Sequence, residues 1–106
     1  MMFENFDFRP GKAIYNDFDI DPKLSFEEQL WSYKEDMLQV SFHNSKYVLD
    51  IGWSPDFEIN GFFKVQIIKE LDWMAPIYSK KTNNLDELHK LLEECVQEIK
   101  KLLRHS

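Results

Sequence analysis

The chain has 106 residues and a formal net charge of -6, from thirteen Lys and Arg against nineteen Asp and Glu. That length holds one compact core, a single domain over residues 1–106. Its 43% hydrophobic and 15% aromatic content offsets the conformational entropy of folding, which argues against intrinsic disorder. The negative charge argues against nucleic acid or an anionic membrane as a direct partner, and a lone cysteine, Cys95, excludes a disulfide framework and a cysteine-rich zinc site.

The opening residues Met1-Met2-Phe3-Glu4-Asn5-Phe6-Asp7 lack the basic start and apolar stretch of a signal peptide. No apolar run approaches the ~20 residues that span a bilayer, so a cytoplasmic, soluble protein is expected. Acid crowds the front of the chain, where Glu4, Asp7, Asp17, Asp19, Asp21, Glu27 and Glu28 face only Arg9, Lys12 and Lys23, while bases gather later at Lys80, Lys81, Lys100, Lys101 and Arg104. An acidic front half attracts a cationic partner, although acidity also serves solubility.

In chain order, Asp17-Phe18-Asp19-Ile20-Asp21 comes first. An extended backbone puts the three acids on one face and Phe18 and Ile20 on the other. The run from Asp17 to Glu28 also spaces its acids like a calcium loop, but Pro22 stands where such a loop needs glycine, so no metal is assigned. Ser25 and Glu28 form a capping-box pattern for a short helix with Phe26, Leu30 and Tyr33 on one face. Alternation then predicts strands through Leu38, Val40 and Phe42, through Tyr47, Leu49, Ile51 and Trp53, and through Phe63, Val65 and Ile67. His43 to Lys46 and Asn60-Gly61 mark the turns. A weaker fourth strand is expected from Trp73 past Pro76 to Ser79. Finally, Leu88, Leu91, Leu92, Cys95, Val96, Ile99, Leu102 and Leu103 recur at helical spacing behind Asn83-Asn84 and Glu87, which predicts an amphipathic helix over about residues 84–104. The expected fold is α+β in two layers: a short N-terminal helix, an antiparallel meander of three to four strands, and a long C-terminal helix on one sheet face.

Catalytic chemistry finds no footing in this pattern. Cys95 lies on the apolar helix face and reads as a small core residue. His43, His89 and His105 lack ligand spacing, adjacent acid pairs such as Glu27-Glu28 and Glu35-Asp36 are too common to signal acid–base work, Glu93-Glu94 belongs to a solvated helix face, and Gly11, Gly52 and Gly61 form no phosphate loop. No cofactor is expected and the protein reads as a non-enzyme. Of Trp31, Trp53 and Trp73, most belong in the core and one or two reach the surface. The segment Trp53-Ser54-Pro55-Asp56-Phe57-Glu58-Ile59-Asn60 mixes aromatics with acids and contains no cation, the makeup of an anchor patch for a basic surface; in the alternative, Phe57 and Ile59 tuck into the core.

From Leu24 to Leu103, the stretch Phe26-Glu27-Glu28-Gln29-Leu30-Trp31, the strand Tyr47-Val48-Leu49-Asp50-Ile51-Gly52-Trp53 and the closing helix resemble small acidic bacterial immunity proteins paired with contact-dependent growth-inhibition toxins. The resemblance implies a non-enzymatic inhibitor that binds one cognate toxin domain, often a basic nuclease, and covers its active site or substrate groove. No family motif transfers residue by residue, so the expected partner-binding residues come from charge and aromatic content: Asp17, Asp19, Asp21, Trp53, Asp56, Phe57 and Glu58. The alternative is a non-catalytic interaction or regulatory module within a larger cytosolic complex. A gene for a very large secreted protein next to this one favours the first reading, and a pathway operon the second.

Overall fold

Period-two alternation in the middle of the chain becomes three neighbouring strands, β2 (Leu38–Phe42), β3 (Tyr47–Ser54) and β4 (Phe62–Lys69), in the computed structural model, which describes residues 6–104. Antiparallel register sets Leu38 opposite Ile51, Val40 opposite Leu49, Ile51 opposite Val65 and Trp53 opposite Phe63. Every apolar alternate position of the three strands therefore lands on one sheet face. Onto that face packs α1 (Leu85–Arg104), burying Leu88, Leu91, Leu92, Cys95, Val96 and Ile99. The Asn84 side-chain oxygen accepts from the Glu87 amide at 2.9 Å and caps the helix as its sequence suggests.

Two edge strands complete the sheet, β1 (Lys12–Asn16) beside β2 and β5 (Tyr78–Thr82) beside β4, giving a five-stranded antiparallel meander in the order β1-β2-β3-β4-β5 among the described residues. This corrects the expectation of three to four strands. β1 escapes the sequence pattern because all five of its residues are exposed and a bulge interrupts its pairing between Ala13 and Tyr15, so no alternation marks it. β5 starts later than expected. Glu70 and Leu71 take positive φ of 52° and 60°, and a turn from Asp72 to Ala75 holds Trp73 and Met74 outside the ladder, which resumes only where the Ile77 amide donates to Ile67. The lysines of β5, Lys80 and Lys81, guard the exposed edge.

The short N-terminal helix is a second correction. Its capping box is present, with reciprocal bonds between Ser25 and Glu28, but it opens a 3-10 helix, Glu27–Ser32, broken at Gln29. The Gln29 side chain turns back instead, donating to the carbonyls of Asp21 and Leu24 and accepting from the Asp21 amide. It staples the preceding turn and interrupts the helix. Just beyond, residues 34–37 lie against the end of β3, where the Trp53 amide donates to Lys34 and the Met37 amide to Ile51. Gly52 permits this approach, because a Cβ there would stand 1.7 Å from the Glu35 carbonyl oxygen.

Candidate functional site: an acidic end with exposed aromatics

A meander sorts its connections to the two ends of the sheet. The β1–β2 and β3–β4 connections and the start of α1 share one end; the β2–β3 and β4–β5 turns, the segment before β1 and the last turn of α1 share the other. Charge divides the same way. Segments 17–36, 54–61 and 83–87 carry eleven carboxylates (Asp17, Asp19, Asp21, Glu27, Glu28, Glu35, Asp36, Asp56, Glu58, Asp86 and Glu87) and two lysines, Lys23 and Lys34. One of these lysines is spoken for: Lys34 Nζ pairs with Asp17, which lowers the Asp17 pKa and raises that of Lys34. At the other end Arg9, Lys12, Lys46, Lys69, Lys100, Lys101 and Arg104 outnumber Asp7, Glu70, Asp72 and Glu98. Glu4 and His105 lie outside the described residues.

Within the acidic end the β3–β4 loop is built to present its tip. Glu58 donates its amide to Pro55, Gly61 donates to Glu58, and the Trp53 indole Nε1 donates to the Glu58 carbonyl at 2.8 Å. Gly61 lets the loop close this tightly, since a Cβ there would lie 2.5 Å from Trp53 Nε1. Phe57 sits at φ 61°, a conformation that costs a bulky residue roughly 1–3 kcal/mol, and its amide donates to the Tyr33 carbonyl at 2.7 Å. The ring is thereby held outward against Trp31, edge to face with centroids 5.0 Å apart. Trp31 is 73% exposed and Ile59 58%. Phe57 and Ile59 do not tuck into the core; the loop takes the anchor-patch arrangement.

Trp53 does not. It is 3% exposed and belongs to an aromatic cluster with Tyr33 and Phe63, at ring distances of 4.7 and 4.9 Å, so the expectation that Trp53 could be a surface anchor is corrected. Its place is taken by Trp31, which sequence reasoning passed over. The signal was available: Phe26, Leu30 and Tyr33 define the inward side of that segment, and Trp31 is off it. Leu24 and Phe62, 43% and 45% exposed, add apolar surface to the same end. Asp56, Glu58, Asp19 and Asp21 are exposed as expected. Phe18 and Ile20 are fully buried beneath the aspartates, as the extended reading requires. Asp17 is half-exposed and tied to Lys34, and the Asp21 carboxylate accepts from the Lys23 amide at 2.9 Å. Among the described residues no group of His, Cys, Asp or Glu side chains is placed to hold a metal ion.

Beside the aromatic cluster, between the β3–β4 loop and the start of α1, lies a cleft of about 500 Å³ bordered by Phe26, Tyr33, Trp53, Phe63, Ile59 and residues 83–86. A larger groove of about 990 Å³ runs beside α1 toward the basic end, where Lys69, Lys101 and Arg104 alternate with Glu93, Glu94 and Glu98. Cys95 is buried beneath it, and burial pushes its thiol up to about 12, far from a nucleophile's range. On the opposite sheet face Asp50 is 8% exposed, accepts from Gln39 Nε2 at 3.1 Å, and has its pKa raised by desolvation. No helix among the described residues is long and apolar enough to cross a membrane. No protein-family model, curated protein or solved structure matches the chain.

Proposed function

We propose that this protein is a non-enzymatic, cytoplasmic immunity protein that binds a cognate cationic toxin domain, such as a basic nuclease, and covers its active site or substrate groove. The observation that carries this reading is the Trp31–Phe57 pair, two exposed aromatics in edge-to-face contact inside the end of the molecule where eleven carboxylates gather. Interfaces that neutralise a charged groove combine these two ingredients: charge of the right sign steers the encounter, and a few desolvated aromatics hold the complex. The partner-binding residues on this reading are Asp19, Asp21, Trp31, Asp56, Phe57 and Glu58, with Asp17 contributing through its pairing with Lys34.

The test is co-expression with the toxin domain encoded beside this gene, and then association kinetics. Growth should be restored and the association rate should fall steeply with added salt. Trp31→Ala should raise the dissociation rate by about thirtyfold, the equivalent of a hot spot near 2 kcal/mol, without unfolding the protein. A wild-type protein that neither binds nor protects ends the reading.

A further inference from the structure

The aromatic cleft at the acidic end is not accounted for by the exposed Trp31–Phe57 pair. Its border includes Tyr33, which is 8% exposed: its carbonyl accepts from Phe57, while its hydroxyl, without a protein partner among the described residues, keeps contact with solvent. Among the described residues no fully buried side-chain polar atom is left unsatisfied, so this hydroxyl reaches an opening, and the cleft is the opening that Tyr33 borders. A hydrogen-bonding atom kept at the wall of an otherwise aromatic cleft selects for a ligand that can both stack and donate.

We propose that this cleft receives one arginine side chain of the cationic partner, an inference that rests on the acidic end being the partner-binding end. Volume allows it, since about 500 Å³ holds a guanidinium with its aliphatic stem. Charge selects for it: Asp86 stands on the border with Glu87 next in the chain, segments 54–61 and 83–87 contain no cation, and the remaining bordering segment sets Lys23, next to Pro22, between Asp21 and Glu27. The positive end of α1 does not reverse this preference. Asp86 and Glu87 offset it, and the Glu87 and Leu88 amides are already taken by the Asn84 side chain and carbonyl. Guanidinium fits better than ammonium because it is planar and weakly hydrated. It can lie against the half-buried ring of Phe26 while donating to both the Tyr33 hydroxyl and the Asp86 carboxylate.

The experiment titrates the full chain with N-acetyl-arginine methylamide, the lysine analogue and the neutral citrulline analogue. The Trp53 indole N–H signal and the Tyr33 and Phe63 ring signals report occupancy by NMR. Arginine should give saturable shifts at these signals in the millimolar range, lysine weaker ones, and citrulline none. Tyr33→Phe removes only the hydroxyl and should weaken the arginine titration about threefold or more. If that variant does not fold, the exposed Asp86→Asn carries the same expectation. No saturation with arginine, or shifts as large with citrulline, would overturn the proposal; lysine binding as well as arginine would overturn the assignment to arginine. The toxin assay separates this from the functional reading. Toxin binding without an arginine response leaves the immunity reading standing and removes the cleft's role, while an arginine response without toxin binding does the reverse.

Discussion

The two ends of the sheet are made by the same meander and carry opposite charge. At the basic end, lysines and arginines surround a groove lined by both signs. At the acidic end, the connections are tied into the core by Gln29, Gly52, Gly61 and the Trp53 indole, and they present acids and aromatics together. The difference lies in how much structure each end devotes to display. A bulky residue held at positive φ, an exposed tryptophan braced by a neighbouring ring, and a cleft with a free hydroxyl all fall at the acidic end. The basic end has positive-φ residues of its own, His43, Asn44 and Ser45 in one turn and Glu70 and Leu71 in the other, but no aromatic pair is built upon either turn.

The largest expected effect comes from detaching the acidic end from the sheet. Gly52→Ala drives a Cβ into the Glu35 backbone at 1.7 Å, where neither partner is a flexible side-chain tip. The loss should be on the order of 4 kcal/mol or more by urea denaturation, whereas Lys46→Ala at the basic end should stay within about 0.5 kcal/mol. Equal, small effects would mean that residues 34–37 do not lie on the sheet as described.

Next in size is the contrast between two tryptophans of the same end. Trp53→Ala empties the centre of an aromatic cluster and removes one of the two hydrogen bonds to the Glu58 carbonyl, so it should cost about 3–5 kcal/mol of stability. Trp31→Ala removes a side chain that is 73% exposed, and its stability cost should be within about 0.5 kcal/mol, with the loss confined to partner binding. A Trp31 variant as unstable as the Trp53 one would place Trp31 in the core and take away the observation on which the functional reading stands.

Charge exchange sharpens the comparison at smaller amplitude. Asp56→Lys with Glu58→Lys should slow association with a cationic partner and flatten its salt dependence, without unfolding, because both residues are exposed. Lys100→Glu with Lys101→Glu, at the opposite end, should leave association unchanged or slightly faster. If both pairs slow binding alike, net charge and not the acidic end is what the partner reads.

Legibility in the sequence depends on where each signal sits. The helix buries one face and the central strands carry their large apolar residues on one face, so their period shows: Leu88 to Ile99 and Tyr47, Leu49, Ile51 and Trp53 are read directly, although β3 is buried on both sides. Edge strands bury little, and β1 leaves no trace for that reason. The acidic end is half legible. Asp17 to Glu28 are contiguous and visible as an acidic front half, but Asp56, Glu58, Asp86 and Glu87 join them only through the meander's alternation of ends. Likewise the loop 53–60 is marked by composition, while the exchange of Trp53 for Trp31 is legible only in periodicity: Trp53 continues the inward alternation of β3, and Trp31 lies off the side of Phe26, Leu30 and Tyr33.

The smallest expected effect lies on neither end but on the sheet face away from α1. Burial raises the pKa of Asp50 above its unfolded value, so between those two values the folded state binds more protons than the unfolded chain. Stability contributed by this group therefore falls as pH rises through that interval, and above it the buried Asp50 carboxylate is a net cost. Asp50→Asn keeps an oxygen to accept from Gln39 and removes the charge. The variant should melt slightly higher than the wild type at pH 7, with the difference closing as pH falls below the ordinary carboxylate range. Asp17 carries the opposite sign, since its pairing with Lys34 holds its pKa down and that contribution is lost as pH falls. A Tm difference between wild type and Asp50→Asn that does not narrow on acidification would show that folding does not raise the Asp50 pKa, and its burial would then be of no electrostatic consequence.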